Sequence, residues 1–230
     1  MKRLIILVAL ISSQAALFSQ NPSEDFLGSW YTFGSSHRLT ERFSLSPYGE
    51  LRYYEPSSNY NLAFISLRVN YHLNAKSSIG LGYAYLDIDT VFEFDEVPHV
   101  KEHRILEQYV YNHKIGKFKV QHRGRLEHRF LEFRTRNELQ QRFRYRFSLK
   151  YDLNRSFYLK LNEEGFINFQ DQVFHENRFF IGIGAHVSKN VQIEAGYLKH
   201  HIRKNNLNRI MVGLSFQTDS RPPKTTVSHL

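Results

Sequence analysis

Arginine recurs at every second position through Arg142, Arg144 and Arg146, with Phe143, Tyr145 and Phe147 between them. Basic residues interleaved with aromatics can track a phosphate backbone and stack on bases. Strict alternation also sorts a strand into a cationic face and an aromatic face, because successive side chains point opposite ways. A helix turns about 100° per residue and would scatter both sets, so period 2 describes residues 142–151. The same alternation carries Glu50 and Arg52, then Arg68, Arg104, the set Arg123, Arg125, Glu127 and Arg129, then Glu164, Glu176, Arg178 and Glu194. Guanidinium and carboxylate groups sharing one face pair with each other, and where the cations are in surplus they can hold an anion.

The histidines offer less. His99 and His103 flank Glu102 at a spacing that would suit a metal on a helix, but they fall in or beside a loop and no third ligand stands at a suitable distance in sequence. His122 and His128 lie on the apolar face of their segment, where an imidazole could activate a serine hydroxyl. No serine is close to either along the strand, and alternation puts Ser148 on the opposite face. Gly80 and Gly82, like Gly182 and Gly184, are no phosphate loop because no helix start follows them. They are expected to leave space beside large inward side chains. The sequence thus supplies no catalytic residue, no metal ligand and no cofactor site, only a network of charges.

The elements that must position those charges are long strands. Residues 1–19 read as a cleavable signal peptide: Met1, Lys2 and Arg3 precede a short apolar core, with a small residue, Ser19, near the expected cut. Losing Lys2 and Arg3 takes the formal charge from +9 to +7, a modest excess for an exported chain, and no nucleic-acid partner is expected. Cysteine is absent, so no disulfide framework contributes. About eleven period-2 segments follow, at 27–36, 43–54, 60–73, 78–89, 103–114, 117–131, 138–152, 157–169, 174–187, 191–203 and 207–217. A tilted transmembrane strand needs about 9 to 11 residues, whereas strands of soluble sheets centre on about 5 or 6.

One face of these segments is apolar enough to meet lipid, as in Ile65, Leu67 and Val69, in Ile79, Leu81 and Tyr83, and in Ile181, Ile183 and Val187. The connections alternate between tight and loose, and the longest, 90–101, is expected outside the cell. The fold predicted is all-β: an antiparallel up-and-down transmembrane β-barrel over residues 20–217, followed by a polar tail at 218–230. Outer-membrane lipid would be its surroundings and the barrel-insertion machinery its partner during biogenesis. Bacterial barrels close on an even number of strands, which favours ten here, with twelve the alternative. Glu107 and Glu163 fall on the lipid face by simple alternation, and a bulge near either would turn it inward.

An ordered series of short motifs, "GLGYAYLD" (80–87), "EHRILEQ" (102–108), "HRGRLEHR" (122–129), "RFRYR" (142–146), "NEEGFIN" (162–168), "ENRFFIGIG" (176–184) and "EAGYL" (194–198), resembles an uncharacterised bacterial outer-membrane barrel family, domain of unknown function 2490. The resemblance implies an outer-membrane location in a Bacteroidetes-type envelope and no particular substrate, activity or cofactor. Three functions fit these residues: a barrel whose lumen is filled by arginines and carboxylates, a narrow pore or channel for small anions, and a lipid-modifying enzyme of the outer membrane. Strand number bears on the choice, since about eight strands enclose a side-chain-filled interior and sixteen or more a channel.

Overall fold

The computed structural model describes residues 22–92, 97–170 and 173–221. The expected signal peptide (1–19), residues 93–96 of the longest loop and residues 222–230 of the tail lie outside the described residues. A one-turn helix, α1 (Pro22–Asp25), leads into β1 (Leu27–Arg38), β2 (Phe43–Tyr53), β3 (Tyr60–His72), β4 (Ser77–Ile88), β5 (Val100–Ile115) and β6 (Phe118–Glu132). Then come β7 (Asn137–Asp152), β8 (Phe157–Asn168), β9 (Phe174–His186), β10 (Val191–Ile202) and β11 (Asn205–Asp219).

Each strand pairs antiparallel with the next, and β1 closes the sheet against β11 in parallel, from Leu27 opposite Asn208 to Arg38 opposite Asp219. The count of eleven among the described residues falls between the ten and twelve that the even-number rule allows. An up-and-down barrel with an odd number of strands must close on one parallel pair, and the β1–β11 pair supplies it. The chain therefore enters at one end of the barrel and leaves at the other.

The end where the chain leaves carries only short turns, at 39–42, 73–76, 116–117, 153–156 and 187–190. Four of them are built alike: Thr40 Oγ1, Asn74 Oδ1, Asn154 Oδ1 and Ser188 Oγ each accept two backbone N–H groups from the residues that turn the chain. Such side chains mimic a backbone turn and fix its register. The fifth is the two-residue turn at Gly116, whose φ of 55° is the left-handed geometry that suits glycine. The opposite, entry end has longer links, chiefly 54–59 and 89–99, and the described start of the second packs on the first and on the chain ahead of β1. Phe92 meets Phe26 and Tyr54 at ring-centroid distances of 5.1 and 5.5 Å, and Asn59 donates to the Phe92 carbonyl at 2.7 Å.

Alternation along the strands gives a barrel with inverted polarity. Ile65, Leu81 and Val187 on the outside are 62%, 60% and 61% exposed, whereas Glu102 and Glu127 inside are fully buried. Glu107 and Glu163 stay outward: the register shifts in the sheet lie at 52/53 and 166/167, and neither reverses these side chains. Glu107 lies 3.8 Å from His128 Nε2, and Glu163 accepts a hydrogen bond from Asn177 Nδ2 at 2.5 Å, so each acid has a polar neighbour on the outer face.

Candidate functional site

All fifteen charged residues singled out by alternation belong to one lumen. Fourteen line a cavity of about 1280 Å³, and Glu127 lies buried beneath its wall. Strands β5 to β9 position the densest part. Glu127 on β6 stands directly opposite Arg142 on β7, and Arg125 opposite Arg144. Arg142 donates to Glu127 Oε2 through Nε and Nη2 at 3.1 and 2.7 Å, while its Nη1 reaches Glu176 at 3.0 Å. Arg144 bridges the other way, to Glu127 Oε1 at 2.7 Å and to both oxygens of Glu164 at 3.2 and 3.0 Å. Arg104 donates to Glu127 at 3.3 Å, so three guanidinium groups hydrogen-bond to one buried carboxylate. Forked contacts of this kind satisfy both oxygens of a carboxylate that would otherwise be costly to bury.

Aromatic rings lie among the arginines of this network. The Phe166 ring receives Arg142, Arg144 and Arg178 at 4.9, 4.7 and 4.7 Å, and Trp30 receives Arg52 at 3.7 Å and Arg178 at 4.9 Å. The electron-rich ring faces attract the cations and occupy the space between them. Elsewhere in the lumen Arg52 pairs with Glu50, which also accepts from the Tyr48 hydroxyl at 2.7 Å, and Lys160, towards the far end from the rim, pairs with Glu194 at 2.6 Å. In the 54–59 link at the mouth, burial first and the Asp89 carboxylate second push the Tyr54 phenol pKa up.

Several contributors were missed by alternation alone. Glu102, one residue ahead of the segment assigned from sequence, begins inside β5 and shares a face with Arg104. It takes both Arg104, at 2.7 Å, and a forked contact from Arg129 at 2.8 Å on each oxygen. Arg129 thus pairs with Glu102 on the neighbouring strand and not with Glu127 on its own. His200, buried on β10, hydrogen-bonds Glu176 at 2.9 Å and meets the Trp30 ring edge-on. Arg209 is buried where β1 and β11 meet. For Glu102 and His200 the signal was present as period 2 in step with Arg104 and Glu194, already assigned inward.

The outward histidines lead elsewhere. His99 bonds Asp87 and His103 bonds Tyr83, while Glu102 points into the lumen, so these three do not converge. His122 lies 3.0 Å from His113 and 2.6 Å from the Tyr145 hydroxyl, and His128 contacts Glu107 and Gln141. Neither has a serine among its recorded partners within the described residues. Of the glycines, Gly82 does make room for an arginine: a Cβ there would stand 2.5 Å from Arg68 Cγ. Gly184 instead accommodates the Tyr158 ring.

The cavity runs from exposed rim residues Thr90, Arg203 and Lys204 at the entry end down to Gly34, Lys160 and Ser215. Towards that end amide and hydroxyl groups, together with Lys150, link strands along the inner face. Asn70 donates to Ser46 at 2.9 Å, Gln108 to Asn70 at 3.3 Å, Gln121 to Asn112 at 3.0 Å, and Tyr158 and Lys150 both to Gln192 at 3.2 and 3.0 Å.

Fold and site together define a closed, strand-only barrel with an apolar exterior and an ionic interior. The chain belongs to the family described as "Protein of unknown function (DUF2490)", which its residues 27–211 match. A comparison with curated proteins gave no match. Among solved structures the chain is similar to LpxR from Salmonella typhimurium, with 11% sequence identity and a TM-score of 0.46 over 77% of this chain and 83% of that one.

Proposed function

We propose that this protein is an integral outer-membrane β-barrel whose lumen is sealed by its own side chains and serves as a blind binding vestibule. The observation that carries this is the inverted polarity. A surface on which Ile65, Leu81 and Val187 are more than half exposed, wrapped round fully buried Glu102 and Glu127, is stable only where lipid replaces water outside. Strands of 11 to 16 residues reach the length that crossing requires. The seal is supported by the polar links through Asn70, Gln108, Gln121 and Gln192, beyond which the cavity lining does not extend. Membrane fractionation with an unboiled gel tests the location. A compact band in the outer-membrane fraction that shifts on boiling is expected, and recovery in the soluble periplasm would refute it.

A narrow anion-selective pore is the second reading. Twelve arginines line the cavity against six carboxylates, with Glu127 beneath as a seventh, and such a surplus favours anions. Planar-bilayer conductance separates the two: a sealed barrel conducts poorly, whereas a pore gives a steady anion-selective current.

A further inference from the structure

We infer that the deep end of the vestibule is a binding site for a phosphate-bearing anion, held by Arg68, Arg123, Arg125 and Arg146; this rests on the sealed-barrel reading above.

Charge is not shared evenly along the lumen. Towards the mouth Glu102, Glu127 and Glu176 each hold two or more cations. Deeper in, the balance fails. Among the described residues the Arg68 side chain makes no hydrogen bond and no ion pair, and the Arg146 side chain reaches only the Gln121 amide oxygen, at 3.0 Å. Arg125, 5% exposed, has the Gln108 amide at 3.0 Å and its nearest carboxylate, Glu127, 3.8 Å away. Arg123 alone has an acid at bonding distance, Glu164 at 2.5 Å. The Nε atoms of all four are buried without a partner.

These cations also confront one another. Arg123 stands directly opposite Arg146 across the β6–β7 pair, an arrangement that like charges disfavour. Arg68, Arg125 and Arg146 each lie in the field of both Arg123 and Arg144. Guanidinium does not give up its proton in a protein, so the repulsion cannot be relieved by titration. An anion bearing several negative charges and several acceptor oxygens relieves it and satisfies the idle N–H groups. Phosphate oxygens match guanidinium forks converging from β3, β6 and β7, whereas chloride brings one charge and a carboxylate two oxygens. The cavity of about 1280 Å³ has room for such a ligand and opens at the rim of Thr90, Arg203 and Lys204.

The test uses the full chain folded in detergent, titrated calorimetrically with sodium pyrophosphate in about 150 mM sodium chloride, where exposed charges are screened. Thermal unfolding is followed in parallel. Saturable binding that raises the unfolding temperature is expected. Arg68→Gln with Arg146→Gln should weaken it by roughly a hundredfold, the equivalent of two lost charge-assisted contacts. That double variant strips no carboxylate of its partner, so it should keep the compact unboiled band and unfold at a higher temperature than wild type when no anion is present. If it does not fold, Arg68→Gln alone carries the test, because Arg68 holds nothing else. A parallel titration with lysophosphatidic acid micelles identifies the source: response to pyrophosphate indicates a soluble phosphate compound, and response to the micelles alone a lipid headgroup. A compact barrel that answers to neither, or a double variant that binds as tightly as wild type, overturns the site. Loss of the compact band in the wild type would sink the barrel reading itself.

Discussion

Glu127 and Arg142 face each other across the β6–β7 pair, and two nitrogens of the guanidinium close on one carboxylate oxygen at 3.1 and 2.7 Å. Neither side chain is reachable by solvent to any useful degree, and the same carboxylate also receives Arg104 and Arg144. The pair is thus the centre of a shared network, and its removal would leave several buried cations uncompensated.

Glu127→Gln should therefore destabilise the barrel by about 3–5 kcal/mol, the range found when one partner of a buried ion pair is lost. Conversion of the compact gel band at a lower temperature is the measurement. Arg136→Ala, which removes an exposed partner of Glu138, should change stability by less than about 1 kcal/mol. Equal effects from the two would show that the lumen network is not the stabilising element.

Conductance should respond to the arginine layer. Wild-type barrel in a planar bilayer should pass little current, and Arg125→Ala combined with Arg144→Ala should pass more, because both side chains project into the cavity from directly opposed positions. A large, steady current from the wild type would establish the pore instead.

On the outer face, Ile181 sits mid-strand on β9 and is 50% exposed. Ile181→Arg should cost about 2–4 kcal/mol of folding free energy in lipid vesicles, the penalty for a cation near the bilayer midplane. Denaturant titration of vesicle-embedded protein measures it. No change would mean that this face does not meet hydrocarbon.

Parallel closure of β1 on β11 places the start of β1 and the end of β11 on opposite sides of the barrel. With the short-turn end facing the periplasm, a tag ahead of Ser23 should be labelled on intact cells and one after Arg221 should be protected. An inverted insertion would exchange the two results, and a tenth or twelfth strand in place of the eleventh would put both tags on one side.

Period 2 is a local property, and it was enough to set the inward and outward faces: Arg123, Arg125, Glu127 and Arg129 went to one side and Phe179, Ile181 and Ile183 to the other without knowledge of any neighbour. It also located Gly116 and the loops, because turn chemistry lies in adjacent residues. Where local limits were misjudged by a few positions, at the start of β5, Glu102 was lost with them. Closure, pairing and charge balance were decided elsewhere. Eleven strands close only because β1 finds β11, about 180 residues away, in parallel. Arg129 takes Glu102 rather than Glu127, and Arg68 takes no acid at all, because the stagger between strands sets which inward side chains meet at one height. A sequence lists the charges of a lumen, but the distances that pair some and leave others unpaired exist only once the barrel is closed.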